Sequence, residues 1–307
     1  MTIEADTGER TRLRLDLAYD GTAFSGWAKQ PGLRTVEGEL EVALATIFRR
    51  VGNPPRVTVA GRTDIGVHAT GQVAHVELDD TQAIELDRNR RGGLAATGLE
   101  TLRRRLNGVA GASGDIRVGR VTVAPPGFDA RFSAMWRRYE YRIADLEAHQ
   151  DPRRRAFELW HHAALHLPAM AAAARSLLGL HDFASFCRPR AGATTIRTLQ
   201  ELSWHRDADG VLVARVQADA FCHSMVRSLV GACVAAGEGK LGLGRTAELR
   251  DAATRSSEFV VMPAKGLTLR EVGYPADAEL AERAALTRVR RKRADATGSF
   301  DPDGGLD

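Results

Sequence analysis

The sequence predicts a mixed α+β fold built from two similar units of ferredoxin-like (RRM-like) type. Three observations predict it. Each half of the chain interleaves strands of alternating polarity with one or two helices of 3.6-residue period. Turn signals join consecutive strands as hairpins. A Pro-Pro-Gly break at 125–127 parts the two halves. With 307 residues and about 150 residues per domain, the length suits two units, each with enough chain to bury a core.

The elements follow in order. Residues 12–19, RLRLDLAY, set Leu13, Leu15, Leu17 and Tyr19 on one face, as in a half-buried strand. Asp20-Gly21 turns the chain. Thr35 caps a helix predicted to run to about residue 50, with Val36, Leu40, Leu44 and Ile47 as its apolar stripe. Glu37 and Glu39 lie at its positive end. Pro54-Pro55 breaks the chain. Short strands at 57–60 and 72–78 flank a glycine-punctuated loop at 61–71. A helix at 94–106 and a strand at 116–123 complete the half.

Past the break, 137–143 (RRYEYRI) alternates as a strand, and 168–178 reads as a helix with Pro168 in its first turn. Strands at 196–206 and 211–219 join through Asp207-Ala208-Asp209-Gly210. Phe221, Met225, Val226, Leu229, Val230, Cys233 and Val234 recur at helical spacing up to Gly237. A last strand covers 267–274. The expected organisation is a flexible N-terminus at 1–11, halves at 12–126 and 127–275, and a mobile charged tail at 276–307 that includes RVRRKR at 288–293.

Composition narrows the function classes. With 44% hydrophobic and 27% charged residues, the chain is neither disordered nor fibrous. No run approaches the ~18 apolar residues of a membrane span, and no signal peptide is expected at the N-terminus. Cys187, Cys222 and Cys233 are too few and too scattered for a disulfide framework, which suits the cytoplasm. Net charge is +4, and 39 arginines stand against four lysines. Guanidinium forks onto phosphate and stacks on bases, so this choice of cation is compatible with nucleic acid.

Several segments carry candidate chemistry. AGRTDIGVHATGQ at 60–72 sets one carboxylate, Asp64, between Arg62 and His68 in a loop whose glycines permit close approach of a ligand. A turn closed by Asp64 satisfies the same pattern. FDARFSAMWRRYEY at 128–141 interleaves Arg131, Arg137 and Arg138 with Phe132, Trp136, Tyr139 and Tyr141. Such a stretch is either a single-strand RNA surface or an amphipathic strand with core aromatics. His223 and Arg227, at i and i+4, share the helix face opposite the apolar stripe. That face is either solvated or lets Arg227 meet a buried carboxylate. Gly237 to Gly242 matches G-x-G-x-x-G but follows a helix, so Gly237 reads as a helix cap rather than a dinucleotide site. His161, His162 and His166 lack a further ligand for a metal.

Taken together, the segments resemble the tRNA pseudouridine synthase A family across about 12–275. The matching stretches are YDGTAFSGWAKQ (19–30), AGRTDIGVHATGQVAHVEL (60–78), FDARFSAMWRRYEYRI (128–143), HDFASFC (181–187), FCHSMVRSLVG (221–231) and GLTLREVGY (266–274). The resemblance implies two α/β halves sharing a long, mostly antiparallel sheet with a central basic cleft. It implies isomerisation of uridine to pseudouridine at positions 38, 39 and 40 of the tRNA anticodon stem-loop, by a homodimer without cofactor or metal. Asp64 of GRTD matches the catalytic carboxylate, Arg227 of MVR the arginine that pairs with it, and Tyr139 of RRYEY the tyrosine that stacks on the target base. Arg62 matches the residue that places the nucleotide. Arg131, Arg137, Arg138, His68 and His223 are the further RNA contacts expected. The chain departs from the family pattern at Asp129, where histidine is usual, and over 107–115.

Overall fold

The computed structural model describes residues 10–88, 98–189, 194–242 and 244–288. The predicted N-terminal stretch through residue 9, the start of the 94–106 helix, and the basic tail from residue 289 lie outside them. The chain divides into two compact units, Met1–Ala134 with Tyr274–Leu286, and Met135–Gly273 with Thr287–Asp307. It is mixed α+β, and within each unit the strand pairs among the described residues are antiparallel except for one short parallel pair.

In the N-terminal unit, β1 (Thr11–Tyr19) buries Leu13, Leu15, Leu17 and Tyr19, as its alternation requires. Each buried leucine contributes about 1.5–3 kcal/mol of transfer free energy. α1 (Val36–Ile47) is capped by Thr35, whose Oγ1 accepts from Gly38 N–H at 3.2 Å. The helix stops short of residue 50. β2 (Val57–Val59) is followed by β3 (His68–Leu78), which begins four residues earlier than the alternation suggested. α2 (Asp80–Arg88), which no sequence signal marked, precedes α3 (Gly98–Val109) and β4 (Ile116–Val123). The strands lie in the order β4-β1-β3-β2.

In the C-terminal unit, β5 (Trp136–Ala144) alternates inward Arg137, Tyr139, Tyr141 and Ile143 with outward residues. β6 (Leu159–Trp160) pairs parallel to it. α4 (Leu167–Arg175), β7 (Gly179–Asp182), β8 (Ile196–Arg206) and β9 (Leu212–Ala218) follow. The β8–β9 turn is closed as predicted, with Asp207 Oδ1 accepting from Asp209 and Val211 N–H at 3.0 Å each. α5 (Met225–Gly237), α6 (Arg245–Ala252) and β10 (Leu267–Gly273) complete it, in the sheet order β10-β5-β9-β8-β7.

Three sequence expectations are corrected. The division falls after Ala134, not at 125–127. The prolines end a strand, but Phe128 beyond them is buried against Tyr274, ring centroids 5.0 Å apart, and Ala130 N–H donates to His75 Nδ1 at 3.0 Å. The segment after 275 is not wholly a tail. α7 (Leu280–Arg288) returns to the N-terminal unit and buries Leu280 and Ala284, and its Leu280 carbonyl accepts from Ser133 Oγ at 3.0 Å. Finally, Cys187 and Cys222 are disulfide-bonded, with Cα atoms 5.8 Å apart. A separation of 35 residues gave no local sign of the pair.

Candidate functional site: the Asp64 loop and the start of α5

The Asp64 loop is built from two motifs that are distant in sequence. Thr63 is pinned twice: Trp27 N–H donates to its carbonyl at 3.0 Å, and its Oγ1 lies 2.8 Å from the Tyr19 hydroxyl. Gln72, fully buried, donates to Tyr19 Oη at 3.1 Å and to the Gly61 carbonyl at 2.8 Å. Burial pushes the Tyr19 hydroxyl up to about 12, so it stays protonated in this network. Val67 N–H closes a turn onto the Asp64 carbonyl at 3.2 Å, with Gly66 left-handed at φ +76°. It is thus the main-chain carbonyl that closes this turn.

Glycine at position 21 is a steric necessity. A Cβ there would stand 2.1 Å from the Val67 carbonyl oxygen. The segment YDGTAFSGW therefore serves as the bed of the GRTD loop. On that bed Asp64 is half-buried, and Arg62 and Ile65 are exposed. The residues that hold this loop in place, Tyr19, Gly21, Trp27 and Gln72, were not singled out as site residues by sequence reasoning. Their membership of the quoted motifs was the available signal.

His68 was expected at the RNA surface and is corrected. It is 2% exposed, and its Nδ1 lies 3.0 Å from Gly21 N–H and 3.1 Å from Asp20 Oδ1. Unprotonated, that nitrogen accepts from Gly21; protonated, it donates to Asp20. Either way the ring braces the bed of the loop. Arg131 is exposed and lies over the Phe132 ring, 5.0 Å from its centroid. Asp129, the departure from the family pattern, caps that turn: its Oδ1 accepts from Arg131 N–H at 2.8 Å and Phe132 N–H at 2.9 Å.

The C-terminal unit assembles a second group. Tyr139 is 7% exposed and meets Phe221 edge to face, with centroids 5.2 Å apart. Tyr141, on the same face of β5, donates to the Pro263 carbonyl at 2.7 Å, and burial raises its hydroxyl far above the usual range. Next along that segment, the Met262 carbonyl accepts from Arg227 Nη1 at 3.2 Å. Arg227 Nη2 donates to Ser224 Oγ at 3.0 Å. Tyr139, Tyr141 and Arg227 are therefore brought to one neighbourhood of this unit.

Other expectations in this unit change. Arg137 is 7% exposed and its Nη1 donates to the Asp219 carbonyl at 2.7 Å, so it ties strand ends rather than facing RNA. Arg138 is on the open face, yet it is engaged with Glu271 at 2.7 Å, with Gln217 at 2.9 Å and with the Trp136 ring. His223 does not share a helix face with Arg227. α5 begins at Met225, and Ser224 interrupts it with φ +65°. Gly237 is helical rather than a left-handed cap; a Cβ there would meet Met170 Cγ at 2.7 Å, so it admits α4. The positive φ, +74°, belongs to Gly239. His161 Nε2 lies 3.2 Å from Glu238 Oε1.

A depression of about 450 Å³ also lies in this unit, lined in part by Glu140, Arg142, Glu158 and Arg270. Its arginines already pair with carboxylates, Arg142 with Glu158 at 3.0 Å, Arg154 with Asp209 at 2.7 Å and Arg270 with Glu140 at 3.7 Å. This self-neutralised cavity is not the Asp64 site. Among the described residues, no cluster of three or more His, Cys, Asp or Glu could hold a metal, and no helix is long and apolar enough to cross a membrane.

Comparison with known proteins agrees with the motifs. A family model described as tRNA pseudouridine synthase matches residues 173–275. A tRNA pseudouridine synthase A of Leifsonia xyli is 61% identical, over 93% of this chain and 99% of its own length. That of Frankia casuarinae is 53% identical over 91% and 95%, and that of Mycobacterium leprae 49% over 95% and 99%. The chain belongs to the tRNA pseudouridine synthase A family.

Proposed function

We propose that the protein isomerises uridine to pseudouridine in tRNA, with Asp64 as its catalytic carboxylate. The observation that carries the reading is the Asp64 loop itself. Its main chain is pinned on both sides of Asp64, while Asp64 and Arg62 remain at its accessible lip. Such pre-organisation suits a group that must meet a reacting carbon.

The reaction breaks the C1′–N1 bond, turns the uracil and forms a C1′–C5 bond; the C5 proton leaves to solvent and N1 gains one. Atoms and electrons balance without an external donor. Asp64 either attacks C1′ or removes the C2′ proton to give a glycal. A 2′-deuterated substrate separates the routes, because only the second is slowed. The base must leave its stack, at a cost of a few kcal/mol. Arg62 occupies the vacated space, and Tyr139 stacks on the extruded uracil, worth about 1–3 kcal/mol. A carboxylate covered by a base loses hydration and is driven towards its neutral form; an opposed guanidinium counteracts this. Arg227 is proposed for that part.

The finer fold belongs to the same reading. Orders β4-β1-β3-β2 and β10-β5-β9-β8, each with helices in the crossovers, support the reading of two ferredoxin-like halves. The resemblance extends the proposal to the anticodon stem-loop at positions 38–40, a basic groove that includes Arg62 and Arg131, a cytoplasmic homodimer, and no cofactor. Release of tritium from tRNA carrying 5-³H-uridine tests the activity. Wild-type release that Asp64→Asn abolishes supports it; release within tenfold of wild type in that variant overturns the assignment. A protein that binds tRNA and releases nothing would be a non-catalytic binder.

A further inference from the structure

We infer that Ser224 is a positioning residue that aims the Arg227 guanidinium. This rests on the reading of Arg227 as part of the catalytic machinery. Serine before a helix normally takes an extended backbone and turns its hydroxyl onto the helix's own N–H groups. Ser224 does neither. Its backbone is left-handed, φ +65° and ψ +5°, and its side chain makes no cap hydrogen bond. Left-handed residues other than glycine, asparagine or aspartate are uncommon and persist where their surroundings over-determine them.

The surroundings of Ser224 do so. On its N-terminal side, Cys222 is bonded to Cys187, and the His223 carbonyl accepts from Arg188 N–H at 3.0 Å. On its C-terminal side, the Ser224 carbonyl already accepts the first helical bond, from Ser228 N–H at 3.0 Å. The conformation gives up the cap and places Oγ 3.0 Å from Arg227 Nη2. Met262 completes the grip: its N–H donates to the Arg227 main-chain carbonyl at 3.2 Å, and its carbonyl accepts from Nη1 at 3.2 Å. Two acceptors on two different nitrogens fix both the reach and the roll of a flexible side chain.

Ser224→Gly and Ser224→Ala separate the hydroxyl from the backbone. Glycine tolerates the left-handed region and alanine does not, so the glycine variant should melt at or above the wild-type temperature and the alanine variant below it. Both lose Oγ. Both should lose about tenfold in kcat, as for one hydrogen bond to a charged group, with KM for tRNA within twofold of wild type. In an Arg227→Ala background, Ser224→Gly should leave kcat unchanged. A Ser224→Gly kcat within twofold of wild type, beside a strongly impaired Arg227→Ala, overturns the role of Ser224 and leaves that of Arg227 standing. A kcat that follows the melting temperature across the two variants, or additive effects in the double variant, also overturns it. An Arg227→Ala enzyme of wild-type activity overturns the reading of Arg227 itself.

Discussion

The Asp64 loop and the start of α5 solve the same problem by opposite means. In the proposed mechanism both present one charged side chain in a fixed place. The loop does it through main chain: carbonyls and N–H groups at 61, 63, 64 and 67 are engaged, and Gly21 lets a neighbouring segment close against it. The start of α5 does it through side chains: Arg227 is held by a serine hydroxyl and a carbonyl, on a backbone bent into a rare conformation. A short aspartate needs only its own Cα placed. A long arginine needs its far end placed as well, because its rotamer freedom is much larger.

The comparison can be broken at either end. The largest effect is expected at Asp64. Asp64→Ala should lower single-turnover pseudouridine formation by roughly 10⁴-fold, as for removal of one member of a catalytic unit, while tRNA affinity by filter binding changes little. Arg227→Ala should cost about 100-fold in kcat; a large loss of affinity at unchanged rate would make it a phosphate contact instead. Gly21→Ala drives a Cβ against the Val67 carbonyl. It should destabilise the N-terminal unit by about 3 kcal/mol, read by thermal unfolding, with activity falling alongside.

Smaller effects sharpen the contrast between arginines that hold the fold and arginines proposed to hold RNA. Arg137→Ala should lower Tm, since a buried carbonyl loses its donor at about 1–3 kcal/mol, and should leave the salt dependence of tRNA binding unchanged. Arg131→Ala should do the reverse, lowering the salt slope by about one with Tm unmoved. The smallest effect is expected for Tyr19→Phe. It removes one hydroxyl between Thr63 and Gln72 and should cost about 1 kcal/mol, detectable as a modest Tm decrease.

Much of this was legible beforehand. The strand at β1, the helix at α1, the β8–β9 hairpin and the apolar stripe of α5 each carry a periodicity or a turn signal that chain geometry dictates locally. The extra helix α2 carried none, since its residues are mostly polar. In the site, GRTD and MVR were visible as motifs. Ser224 was not, because nothing in its neighbours announces a left-handed backbone.

What the sequence determined by itself was therefore which residues face inward and which segments carry chemistry, since period and side-chain type are local properties. Tertiary structure decided what each polar group is for. It buried His68 and Arg137, which looked like RNA contacts, and left Arg62 and Arg131 exposed. It carried α7 back to the first unit and joined Cys187 to Cys222. The physical reason is the same each time. A guanidinium or an imidazole is equally at home on phosphate or on a carbonyl of its own chain. Only the partner that folding brings within about 3 Å settles which.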